Sequence, residues 1–203
     1  MDSFNQKELK LLKSLNSPKK IQDFINKIPI NFDYKKGTCY SPRMALEKNK
    51  AQCMEGAMLA AAALEVHGFP PLLMDLTSTK HDFDHVVAIF KQNNCWGAIS
   101  KTNHAVLRYR EPIYKTIREL AFSYFHEYFL NNGKKTLRSY SGPVNLNKFN
   151  KINWRTSSKD VWDIPNYLGD VKHFPFLSKQ QIHSLRKADK IEIQAGKLIE
   201  WKK

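Results

Sequence analysis

The pattern of apolar and polar positions divides the chain into a helical front, a sheet-forming middle and a mixed tail. Residues 6–16 and 18–28 repeat apolar side chains at helical spacing. Ser17-Pro18 marks the start of the second helix and Pro29 its end. Residues 30–34 read as extended, followed by a turn at Lys35-Lys36-Gly37. A short helix is expected from Pro42 or Arg43 through Glu47. The polar run Glu47-Lys48-Asn49-Lys50 then gives way to Ala51-Gln52-Cys53-Met54-Glu55-Gly56-Ala57-Met58-Leu59-Ala60, an apolar stretch that continues to Gly68. Asn49 as N-cap, with Gln52 three residues later, predicts a helix start, and Gly68 predicts its left-handed end. A helix that is apolar all round is a buried one.

Beyond Pro70-Pro71, strands are expected over 72–76, 84–90 and 95–100, the last two joined through Lys91-Gln92-Asn93-Asn94. Pairing Phe90 with Cys95 sets His85 opposite Ser100. A different turn sets His85 opposite Thr102, on the same face. Residues 105–110 alternate and predict another strand. From Pro112, the apolar residues Ile113, Ile117, Leu120, Ala121, Tyr124, Phe125, Tyr128 and Phe129 fit one long helix, stopped at Asn131-Asn132-Gly133. A helix over 178–187 and a terminal hairpin over 190–201, turning at Ala195-Gly196, complete the reading. The fold class is α+β. Residues 1–133 form the core with its N-terminal helices, and 134–203 form an extension packed on the same domain.

The length of 203 residues is enough to bury a core, and no run approaches the roughly 18 apolar residues of a membrane span. Met1-Asp2-Ser3-Phe4-Asn5 has no signal-peptide character. The three cysteines, Cys39, Cys53 and Cys95, are an odd number without paired spacing, which fits a reducing, cytoplasmic setting. The net charge of +14 rests on 26 Lys against 7 Arg. Such a surface attracts nucleic acid, but only charge supports that partner, since Arg is the residue of bidentate phosphate and base contacts. No membrane partner is expected, and the sequence is silent on oligomeric state.

Cys53 falls in the first turn of the buried helix, where unpaired N–H groups and the macrodipole favour a thiolate. That is how a nucleophilic cysteine is built, although a free cysteine is more often a small core hydrophobe. His81-Asp82-Phe83-Asp84-His85 has the look of a metal site but lacks a Cys pair or a third nearby His, so no metal and no cofactor are expected.

Gln52-Cys53-Met54-Glu55-Gly56-Ala57, Val66-His67-Gly68-Phe69-Pro70-Pro71, Asp84-His85-Val86-Val87-Ala88-Ile89 and Trp96-Gly97-Ala98-Ile99-Ser100 together resemble the transglutaminase-like superfamily, with its papain-like fold. The resemblance covers about residues 40–105 and suggests a stand-alone bacterial-type member. It implies a buried central helix on an antiparallel sheet, with Cys53 as nucleophile and His85 as base, meeting within hydrogen-bonding reach. The family usually carries Asp where this chain has Ser100, so Ser100 or Asn103 is expected to orient the imidazole. Gln52 and Tyr40 are candidates for the oxyanion site, and Trp96 for a wall of the cleft. The expected activity is thiol-dependent amide hydrolysis or acyl transfer on a peptide or protein. A peptide-binding relative with impaired catalysis and a basic nucleic-acid-associated protein are the competing readings.

Overall fold

A computed structural model describes residues 4–33 and 37–202. The turn expected at Lys35-Lys36-Gly37 falls mostly outside the described residues, as do Tyr34, Met1, Asp2, Ser3 and Lys203. Helices α1 (Gln6–Ser14) and α2 (Pro18–Lys27) form where helical spacing predicts them. Asn5 and Glu8 cap α1 reciprocally, and the Ser17 hydroxyl accepts from the Lys20 N–H to open α2. Helix α3 (Pro42–Lys48) ends on Asn49, whose φ of 48° is left-handed. Asn49 therefore closes one helix and does not open the next. The N-cap of α4 (Cys53–Val66) is Gln52, so Cys53 is its first residue. The later start has a local cause: Ala51 bridges to Ile30 as an extended residue and cannot be helical. Gly68 ends α4 with φ 82°, and the Phe69 N–H returns to the Leu64 carbonyl.

Among the described residues, seven antiparallel strands make one sheet: β1 (Leu72–Thr77), β2 (His85–Gln92), β3 (Cys95–Ser100), β4 (Arg110–Tyr114), β5 (Ser139–Ser141), β6 (Val144–Asn145) and β7 (His173–Pro175). The order is β4-β3-β2-β1-β5-β7, with β6 also on β1. Residues after 133 thus extend the same sheet past β1. Between β2 and β3, Asn93 and Asn94 both take positive φ, 50° and 61°. That is a two-residue turn matched to strand twist. Gln92 pairs with Cys95 and Val87 with Ser100. The register is the second of the two expected ones, two residues from Phe90 opposite Cys95. An even shift keeps His85 and Ser100 on one face.

The long aromatic helix does not form. Pro112 lies in β4, an edge strand, where a missing N–H is tolerated. Thr116 then caps a six-residue helix, α5 (Ile117–Phe122), in a box with Glu119, and a 3-10 turn follows at Phe125–Glu127. The strand expected at 105–110 is displaced to 110–114. In the tail, α6 (Asp163–Asp170) packs Ile164 and Leu168 into the core beside α4, while α7 (Lys179–His183) is shorter than its expected span. The terminal hairpin is replaced by α8 (Lys190–Gly196), whose start Asp189 and Glu192 cap.

The sheet has two buried faces. Leu73, Val86, Ala88, Phe90 and Ile99 pack under the Ala-rich body of α4. Met74, Leu76, Val87, Ile89 and Ala98 pack against Leu120, Tyr124, Phe125 and Tyr128. Tyr124, Phe125 and Tyr128 reach the core as expected, carried by short segments instead of one helix, whereas Phe129 stays partly exposed and Ile113, on the edge strand, points outward. Among the described residues, no helix is long and apolar enough to cross a membrane.

Candidate functional site

A cleft of about 820 Å³ opens at the end of the sheet where β2 begins. Gln52, Cys53, His85, Lys101, Leu107 and Tyr128 are among the residues that line it. Cys53 is half-buried at the tip of α4. Burial pushes its thiol up, and the nearby Asp75 and Glu55 carboxylates push the same way. The N–H groups of Val86 and Met54 pull it down, but the balance stays raised, so the thiol is protonated at neutral pH.

His85 is 6% exposed. Its Nε2 lies 2.8 Å from Ser100 Oγ, and Ser100 Oγ donates to the Leu107 carbonyl at 2.5 Å. A hydroxyl has a single proton, and here the carbonyl takes it. The serine oxygen therefore accepts from Nε2–H, which leaves Nδ1 as the basic nitrogen. Burial pulls the imidazole down to about 4, helped by the Arg110 guanidinium. Histidine and thiol both rest uncharged.

Strand alternation points His85 to the face shared with Val87 and Ile89, away from the body of α4. Cys53, at the helix tip, comes to the Val86 N–H from the other side. The two side chains enter the cleft around the end of the sheet, and no hydrogen bond joins them among the described residues. The expected contact within hydrogen-bonding reach is thus not made, because strand parity turns His85 off the face that α4 covers.

The other expected site residues divide. Gln52 lines the cleft; its main-chain N–H goes to Glu55 Oε2 at 2.8 Å and its Nε2 to the Thr38 carbonyl at 2.7 Å. Tyr40 does not line the cleft, and its N–H is held by Glu55 Oε1 at 3.0 Å. Trp96 sits near the far end of β3, paired with Lys91 and Tyr114, and forms no wall beside His85. Four residues of extended strand, about 13 Å, separate it from Ser100. Asn103 lines the cleft but does not orient the imidazole. Its side chain accepts from the Trp201 N–H at 2.8 Å and donates to the Trp201 carbonyl at 2.9 Å. The tail continues this pairing: Glu200 N–H to the Asn103 carbonyl, Ala105 N–H to the Leu198 carbonyl.

Two residues that support the site are not evident in the sequence. Glu55 is fully buried two residues after Cys53 and accepts from Asn31, Thr38, Tyr40 and Gln52. Its position three residues after the N-cap was the available signal. Lys101 is 1% exposed; its ammonium donates to the carbonyls of Ile25 and Ile28 at the end of α2. Burial lowers it to about 8. Its stem fills the space over Gly56, where an added Cβ would lie 2.4 Å from Lys101 Cβ. Among the described residues, no three His, Cys, Asp or Glu side chains converge as metal ligands.

No family model matches this sequence, and no curated protein matches it. Among solved structures, the chain is similar to EGTA-treated LapG of Legionella pneumophila, with a TM-score of 0.35 and 18% identity over 45% of this chain and 56% of that one. The chain thus spans just over half the length of LapG, and a likeness of this degree decides neither fold nor activity.

Proposed function

We propose that the protein is a thiol-dependent amide hydrolase or acyltransferase of transglutaminase-like type acting on a peptide or protein. The observation that carries this reading is one cleft lined by a cysteine at a helix start and a neutral histidine whose Nε2 proton is already committed. Because thiol and imidazole both rest neutral, His85 acts as a general base on arrival of the substrate and not as half of a standing ion pair.

Nδ1 of His85 takes the Cys53 proton as sulfur bonds to the substrate carbonyl carbon. The C=O electron pair moves to oxygen, and the N–H at the start of α4 holds the oxyanion, with Gln52 Nε2 as second donor. The C–N bond then breaks, the amine leaves with the proton from Nδ1, and an acyl-thioester remains. Water or an amine attacks the thioester, gives a proton to Nδ1, and Cys53 recovers it as the acyl group departs.

The test is an activated ester. With p-nitrophenyl acetate, peptide mass spectrometry is expected to find acetyl on Cys53, absent in Cys53→Ala and formed about 100-fold more slowly in His85→Ala. Acetylation spread over Cys95 and surface lysines, with no dependence on His85, overturns the reading.

A further inference from the structure

Among the described residues, five non-glycine residues have left-handed backbone: Asn49, Asn93, Asn94, Asn153 and Leu107. Asparagine visits that region readily; leucine does so at a cost of about 1–2 kcal/mol. Leu107, with φ 60°, is thus the conformational outlier of the described residues, and it lies on the cleft. Both of its main-chain polar groups are occupied there. Its N–H donates to Glu127 Oε2 at 2.8 Å, and its carbonyl accepts from Ser100 Oγ at 2.5 Å. Glu127 is in turn paired with Arg110 at 2.7 Å, and Arg110 is held by Ser123 and stacked on Tyr124.

We infer that Leu107 is a positioning residue whose strained backbone, pinned by Glu127, aims a carbonyl at Ser100 and so fixes the His85 tautomer without a carboxylate. The inference rests on the reading of Cys53 and His85 as the reacting pair. A serine alone does not fix a tautomer, because its hydroxyl donates or accepts with equal ease. A carbonyl only accepts. Once it takes the serine proton, Nε2 of His85 must be the protonated nitrogen and Nδ1 the base. An aspartate in this place would fix the same tautomer and add a charge that stabilises imidazolium. The carbonyl supplies direction alone, in keeping with a histidine that rests neutral. Backbone in the extended region at 107 would swing the carbonyl away from Ser100, which is why the strain is retained at this position.

The experiment is 15N NMR of the His85 ring at neutral pH in the full chain, beside the alkylation rate of Cys53 by iodoacetamide. The native ring is expected as the Nε2–H tautomer, with a slowly exchanging Ser100 hydroxyl proton. Leu107→Gly and Leu107→Asn, which accept positive φ, are expected to keep that tautomer. Leu107→Val, which resists it, and Ser100→Ala are expected to give a tautomer mixture and about tenfold slower alkylation. A native Nδ1–H tautomer, a rapidly exchanging Ser100 hydroxyl, or a tautomer lost in Leu107→Gly overturns the inference, and none of these needs the valine variant to fold. A correct tautomer with alkylation indifferent to His85→Ala upholds the relay and overturns the hydrolase reading instead.

Discussion

Two buried polar networks flank the cleft, and they are built on opposite principles. Behind Cys53, a carboxylate lies fully inside the protein, and Asn31, Thr38, Tyr40 and Gln52 all donate to Glu55. Behind His85, the chain of hydrogen bonds runs through a hydroxyl to a main-chain carbonyl and carries no charge up to that point. The comparison teaches what the buried Glu55 carboxylate does for this cleft. It organises the entry of the cysteine helix; it does not support the imidazole. Removing a fully paired buried charge strands its donors, whereas shortening a neutral chain removes only modest bonds.

The largest effect is expected at Glu55. Glu55→Ala leaves four donors without their acceptor and is expected to cost about 4 kcal/mol in urea unfolding. A loss below 1 kcal/mol would erase the contrast between the networks. Next comes acid. His85 binds a proton near 6.5 when unfolded but only near 4 when folded. The unfolded chain therefore holds more protons between these values. The stability gained from the neutral ring is complete above pH 6.5 and is lost as pH falls towards 4, by up to about 3 kcal/mol. The measurement is the difference in denaturation midpoint between native protein and His85→Gln across pH 4 to 7; parallel curves contradict the neutral histidine. Gly56→Ala follows at about 2 kcal/mol, because its new methyl meets the Lys101 stem at 2.4 Å. The smallest effect, about 1 kcal/mol, is expected for Asn103→Ala, which releases the tail at Trp201 without altering the His85 tautomer. A changed tautomer there would tie the two regions more closely than their bonds suggest.

Much of the front half is legible in the sequence because its signals are local. Ser17-Pro18, Pro42, Gly68 and the apolar run after Gln52 each act within a turn of where they stand. Asn93-Asn94 is local too, yet a count from Phe90 to Cys95 overlooks that two adjacent asparagines can both adopt positive φ. His85 and Ser100 still share a face, because an error of two residues preserves strand parity. The segment after Pro112 misleads because aromatic residues at helical spacing also suit three short pieces wrapped on one sheet face, and the Thr116–Glu119 cap decides between them. Asn103 misleads for another reason: its partner is Trp201, 98 residues away, and no local pattern announces that pairing. Leu107 is the least legible of all, since leucine carries no preference for the backbone it adopts there.

The grip of residues 198–201 on 103–105 has a mechanical consequence. The segment that leads to Leu107 is anchored on one side by a stretch more than ninety positions away in sequence. Because Leu107 itself is pinned by Glu127 and Ser100, a chain cut before residue 198 would loosen the approach to the cleft while leaving the carbonyl aimed as before.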